Sequence, residues 1–116
     1  MSAIYKTQYG EVNISDDVLA TISGLAATEC YGLVGMASKN AKDGLVELLK
    51  RENLAKGVKV TTEGEEIIVD LYIVVEFGTK ISTIADNIIS KVKYTVENLT
   101  GLKVKKVNIN VQGVRV

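Results

Sequence analysis

A two-layer α+β sandwich is the fold class this sequence predicts: a mixed sheet of about four to five strands, with two long helices and one short helix packed mainly on one face. Three features predict it. Residues 81–99 carry apolar side chains at helical spacing; residues 67–77 have one wholly apolar face and residues 107–111 alternate apolar with polar ones; and each helical segment is apolar on one side only.

Taken in order, residues 1–8 are expected to form a flexible lead-in and residues 9–116 a single domain. Residues 9–14 form a short strand candidate, with Val12 and Ile14 on one face. Ser15 is placed as an N-cap, and Asp16 and Asp17 put negative charge where the helix dipole favours it. Val18, Leu19, Ile22, Leu25 and Ala26 then make the buried stripe of a first helix ending near Cys30, while Ala20, Gly24 and Ala27 permit close packing. Glu29 falls at the angle of the apolar stripe. A desolvated catalytic carboxylate is one reading; a helix-end residue that accepts backbone N–H bonds is the favoured one.

Next comes the glycine-punctuated segment Gly32-Leu33-Val34-Gly35, followed by Met36 and Ala37. A GxxG loop can clamp a nucleic-acid backbone, but that loop is normally exposed between helices and basic, whereas this one is apolar. Residues 38–43 read as a polar loop. Asp43 is placed to cap a short helix with Leu45, Leu48 and Leu49 inward and Lys50 and Arg51 in its last turn. Val58, Val60 and Thr62 begin a strand, Glu63-Gly64-Glu65 turns it, and residues 66–77 return. One face of the returning strand is Ile67, Val69, Leu71, Ile73, Val75 and Phe77; the other mixes Ile68, Asp70, Tyr72, Val74 and Glu76, so it is expected to be only partly covered.

The last helix and strand carry the strongest pattern. Ile81, Ile84, Ala85, Ile88, Ile89, Val92, Val96 and Leu99 fit one stripe, with Thr79 as the expected N-cap. Gly101 suits a left-handed helix stop, after which Leu102 can fold back onto Val96. In the final strand Val107, Ile109 and Val111 alternate with Asn108, Asn110 and Gln112, and Gly113 is expected to change the parity so that Val114 and Val116 point to the other face as a sticky, exposed end.

Composition narrows the function. Fourteen basic and fourteen acidic residues balance, against the basic excess usual in nucleic-acid binders. The absence of histidine excludes His-based triads and His zinc sites. One cysteine forms no internal disulfide and suits a reducing cytosol; no metal, cofactor or small-molecule substrate is expected. The longest apolar run, residues 71–75, is far short of the roughly 18 residues of a membrane span, and the opening MSAIYKTQYG has no signal-peptide core. Cys30 lacks a neighbouring base in sequence, and the paired acids Asp16/Asp17 and Glu65/Glu66 are explained by a helix start and a hairpin tip. A cytoplasmic, non-enzymatic protein is the expectation.

Charge placement suggests contacts with other proteins. Glu63, Glu65 and Glu66 gather at a hairpin tip and Lys103, Lys105 and Lys106 at the start of the last strand, as though at separate edges able to pair with another copy or a charged partner. With Tyr72, Tyr94, Val114 and Val116, these lysines form the candidate interaction surface. The two other readings are an RNA-binding module using Gly32 and Gly35 and an acyl-chain or small-molecule binder beneath the helices.

GEVNIS, YGLVGMASKN, DGLVELLKRENLAKGVKV and KVKYTVENLTGLKVKKVNINVQGV together resemble the alkaline shock protein (Gls-type) family of Gram-positive bacteria, nearest its short YloU-like branch. The resemblance covers about residues 9–114. It implies a non-enzymatic cytoplasmic protein of envelope stress and cell-envelope homeostasis. The implied partners are proteins, including itself and a membrane-anchored protein that holds it at the inner face of the membrane. It supplies no catalytic residues. Short members are also encoded near fatty-acid kinase-like proteins, which implies a lipid-metabolism partner for the acyl-chain reading.

Overall fold

The computed structural model of the chain describes residues 2–39 and 48–116. Its centre is one long strand, Glu66–Glu76 (β5 in the numbering that follows). The expected lead-in is not loose. Ser2–Thr7 is a strand (β1) that pairs antiparallel with Gly10–Ser15 (β2), from Ser2 opposite Ser15 to Thr7 opposite Gly10. Residues 2–7 bond to β2 along one side in that hairpin, and Ala3 is buried in the core.

Helix Asp16–Thr28 (α1) starts where its cap chemistry puts it: the Ser15 hydroxyl accepts the Val18 N–H at 3.3 Å. Its buried face is rotated from the expected stripe. Leu19, Ala20, Ser23, Gly24, Ala26 and Ala27 are buried, whereas Val18 is exposed and Ile22 and Leu25 are half-buried. Close approach explains the rotation. A Cβ on Gly24 would lie 3.1 Å from the Leu54 Cβ, so the small side of α1 is the side that admits a neighbour. That neighbour is a 3-10 helix, Arg51–Gly57, which begins at the last residue of the expected short α-helix and runs through the segment up to Gly57 that the sequence reads as a linker. Asp43 and Leu45 of the expected helix lie outside the described residues. Leu48 bridges Ala37 in extended form instead of facing inward from a helix turn, and it is exposed.

Leu33–Met36 (β3) and Val58–Glu63 (β4) both run antiparallel to β5, and both occupy the same side of it. β4 pairs with residues 66–71 and β3 with residues 73–75, end to end. Gly64, at φ +63°, makes the two-residue turn that joins β4 to β5. Lys103–Arg115 (β6) takes the other side of β5, parallel to it, from Glu66 beside Lys103 to Glu76 beside Arg115. The mixed sheet is therefore three strands wide at any point, and β1–β2 forms a separate sheet of two. Ile67, Val69, Leu71, Ile73 and Val75 are buried on the helix side of β5, each contributing about 1.5–3 kcal/mol through burial. Phe77 does not join them. Gly78, at φ +89°, turns the chain away and leaves Phe77 71% exposed.

Helix Ile81–Thr100 (α2) covers this face with Ile84, Ile88, Val92 and Val96. The stripe is narrower than expected, because Ile81 and Leu99 are exposed at the ends. The expected Thr79 cap is also absent. Lys80 stands at the N-cap with no side-chain bond, and the Thr79 hydroxyl donates to the Glu76 carbonyl. The far end closes as the sequence predicts: Gly101 adopts φ +78° and donates to the Glu97 carbonyl, and Leu102 is buried.

Candidate functional site

The residues open to a catalytic reading do not assemble into a site. Glu29 is exposed, caps α1 through its own backbone N–H, and pairs its carboxylate with Lys91 at 3.1 Å. The expected acceptance of backbone N–H bonds by its side chain is replaced by that surface ion pair. Cys30 is half-buried, its thiol 4.0 Å from the Ala26 carbonyl. Burial pushes the thiol pKa up; the Lys91 ammonium opposes this and the Glu29 carboxylate adds to it. A thiol held protonated is a poor nucleophile. Among the described residues, no three acidic, histidine or cysteine side chains converge to hold a metal ion.

Gly32 and Gly35 do not form a nucleic-acid loop. Leu33, Gly35 and Met36 pair with β5 inside the sheet, with a register shift between Leu33 and Gly35. Gly32 is needed for another reason: at φ +91° its Cα faces Ile84, and a Cβ there would lie 2.6 Å from the Ile84 Cδ1. The described grooves do not enclose an acyl chain either. The one along Asp17, Val18, Thr21 and Ile22 lies on the exposed side of α1. A cleft of about 510 Å³ is lined by Tyr5, Glu63, Gly64, Glu65, Glu66, Gly101, Leu102 and Lys103, too polar for a hydrocarbon tail.

The residues expected to mediate contacts are spread over the molecule. Tyr94 stands exposed on α2, on the helix layer, while Tyr72 is half-buried on the opposite face of the sheet. Lys103, Lys105 and Lys106 are exposed at the start of β6, and Val114 and Val116 are exposed at its end; Val114 does not switch faces as expected, because the register shift before Gly113 sets it beside Val75 on the helix side. The acidic and basic clusters are not separate edges. β5 brings them together: Glu66 lies in register with Lys103, and Lys105 Nζ meets the Glu63 carboxylate at 3.0 Å, which raises the Lys105 pKa. The cause is the parallel pairing of β5 and β6, which sets both segments at one end.

The opposite end carries what the sequence reading missed. Tyr31 is 89% exposed and lines a groove with Gly78, Thr79, Lys80, Thr83, Ile84 and Asn87. Phe77 donates its N–H to the Arg115 carbonyl and stands beside the end of β6, where Val114 and Val116 are exposed; Ile81 opens α2 a turn away. Tyr31, Phe77, Ile81, Val114 and Val116 thus form an apolar end, with Lys80 and Arg115 at its margin. The available signal was glycine: Tyr31 and Phe77 each precede a glycine with positive φ, so each sits on a turn instead of in a strand.

The described residues thus form an α+β sandwich with exposed apolar side chains at one end and no strand on the outer side of β6. The chain belongs to the alkaline shock protein 23 family, described as having a cell envelope-related function, which it matches over residues 5–116. It is 56% identical to YloU of Bacillus subtilis (strain 168), across 100% of this chain and 98% of that protein. It is 35% identical to a stress response regulator gls24 homolog of Streptococcus pyogenes serotype M3, covering 91% of this chain and 59% of that longer protein. Among solved structures it is similar to the MamM-CTD domain (a histidine-to-alanine variant), with a TM-score of 0.50 and 13% identity. That match covers 84% of this chain and 95% of the other, and it shows the fold alone. No helix among the described residues is long and apolar enough to cross a membrane.

Proposed function

We propose that this chain is a non-enzymatic, cytoplasmic interaction or scaffold module of the envelope stress response, which reaches the inner face of the membrane only through a protein partner. The family's envelope-related description and the stress-response name of the gls24 relative support the cellular role. One observation carries the molecular role: Tyr31, Phe77, Ile81, Val114 and Val116 are all exposed at the end of the molecule where β5 and β6 finish and α2 begins. Apolar groups grouped this way mark a surface that another protein covers.

The weak chemistry elsewhere agrees with this role. Glu29 is spent on an ion pair with Lys91, and Cys30 is kept protonated by burial. The test is affinity capture from cells with the full chain and with Tyr31→Ser/Phe77→Ser. Both positions are exposed, so the variant is expected to fold as the parent does, with an unchanged melting temperature, and to lose the parent's protein partners. Identical recoveries from parent and variant would contradict a role for this end. Turnover of a metabolite that disappears on replacing Glu29 or Cys30 in a folded protein would contradict the non-enzymatic reading.

A further inference from the structure

We infer that the outer edge of β6 accepts an extended segment of a different protein as a further strand, with a carboxylate of that segment beside Lys106. This strand addition rests on the interaction role proposed above and gives it a second surface and a partner of stated chemistry. β6 bonds to β5 along one side; among the described residues no strand meets its other side. A strand paired on one side only presents a row of N–H and C=O groups on the other, a template for one more strand. The opposite side of the sheet is partly taken. There β3 already carries an extended segment, through the Ala37–Leu48 bridge and the Leu49 N–H donated to the Met36 carbonyl. The β6 edge is closed at its start, where the Glu97 carboxylate accepts the Val104 N–H at 2.9 Å. From Lys106 to Val111 its register against β5 is unbroken, so this is the part regular enough to pair again.

Charge selects the occupant. On the face of the sheet away from the helices, Lys59 lies in register with Asp70, Lys103 with Glu66 and Arg115 with Glu76. Lys105, at the register shift, pairs with Glu63 at 3.0 Å. Lys106 breaks the pattern. Its neighbour on β5 is Ile68, and the neighbour of Ile68 on β4 is Thr61, so its row of the sheet holds no carboxylate. Glu66 and Asp70, on either side of Ile68 on that face, lie beside Lys103 and Asn108, and Asp70 accepts the Asn108 amide at 2.9 Å. Lys106 is exposed at the edge, and the place left for a carboxylate in its row is the open side of β6. Opposite charges facing across strands stabilise pairing, and like charges oppose it.

The same charges argue against a second copy as the occupant. The β6 sequence KVKKVNINVQGVR has lysines and an arginine but no acidic residue, so another β6 brings cations where Lys106 calls for a carboxylate. On the helix side the edge calls for apolar residues. Val107, Ile109 and Val111 lie beside the buried Val69, Leu71 and Ile73, yet Ile109 and Val111 are only half-buried. The segment that fits therefore alternates, apolar toward the helices and polar, with aspartate or glutamate, on the other face.

Two cyclised β-hairpin peptides test this on the full chain. Their pairing strand reads Thr-Val-Glu-Val-Thr in one and Thr-Val-Lys-Val-Thr in the other, and cyclisation orders it in advance. Titration at low salt measures binding, and amide exchange locates it. The glutamate peptide is expected to bind about tenfold more tightly than the lysine one, with exchange slowed over residues 106–111. Lys106→Glu is expected to reverse that preference, and Lys93→Glu, exposed on α2, to leave it unchanged. Equal affinities, no binding of either peptide, a preference that both substitutions alter alike, or protection confined to another element overturns the inference. Exchange of residues 106–111 that slows as the chain's own concentration rises, with no peptide present, identifies a second copy as the occupant and also overturns it. If the peptides fail while Tyr31→Ser/Phe77→Ser still sheds the parent's partners, strand addition fails and the interaction role stands. If neither experiment finds a partner, both fail.

Discussion

At the scale of single residues, the environment decides between chemistry and architecture. Cys30 and Glu29 adjoin in sequence, but α1 ends beside them and sends each elsewhere. Burial is the largest influence on the thiol and raises its pKa; Lys91 only partly opposes that. A raised pKa leaves less thiolate at any given pH, so alkylation of Cys30 at about pH 8 is expected to be slower than that of an unstructured cysteine, with its rate–pH profile displaced upward. Removing the opposing cation by Lys91→Gln is expected to slow it further. A thiol that reacts faster than the unstructured control would show that the electrostatic balance has been read with the wrong sign. The fate of Glu29 was not legible in the sequence, because Lys91 lies on another helix. No local pattern announces an ion pair across α1 and α2.

Among elements, the two long helices show what periodicity reveals and where it stops. In α2 the large apolar residues outnumber the small, so the stripe read from the sequence is the face that is buried. Its ends escape: Ile81 and Leu99 are exposed. Ile88→Ala is accordingly expected to cost about 2–5 kcal/mol in chemical denaturation, whereas Leu99→Ala, at 65% exposure, is expected to change stability by about 0.5 kcal/mol or less. Equal losses at the two positions would contradict this packing.

In α1 the pattern misled in part, since Val18, Ile22 and Leu25 look like a core face while Ala20, Ser23, Gly24 and Ala27 are the ones enclosed. Closeness of approach overrode hydrophobicity there: Ala20, Gly24 and Ala27, the residues expected to permit close packing, are buried, and Leu54 is the neighbour that approaches Gly24. β1 is a second case. Its six residues have weak alternation, and its pairing depends on the Gln8–Tyr9 turn and not on its own composition. A two-stranded ribbon stands on few contacts. Amides of β1 and β2 are therefore expected to exchange hydrogen well before those of β5, which is paired along both sides. Exchange of β1 as slow as that of β5 would mean the hairpin is part of the main cooperative unit.

For the whole molecule, the layer arrangement was legible because the helices are one-sided and the central strands alternate. Which strands become neighbours was not. β3 and β4 share one side of β5, leaving β6 the other, and that assignment follows from lengths and crossovers that no local pattern encodes. It has two consequences for function. The glutamates and lysines that look like opposed edges lie side by side and partly neutralise each other, and the apolar residues that look like strand ends meet at the other pole. On this account the molecule acts by contact, through that pole and along its open sheet edge.

Crosslinking with mass spectrometry in living cells, using a lysine-reactive reagent on the full chain, tests this most directly. Links from Lys80, at the margin of the apolar end, and from Lys103 and Lys106, at the start of β6, to other polypeptides are the predicted result. Links confined to lysines within one copy of the chain, with none leaving it, would contradict the account.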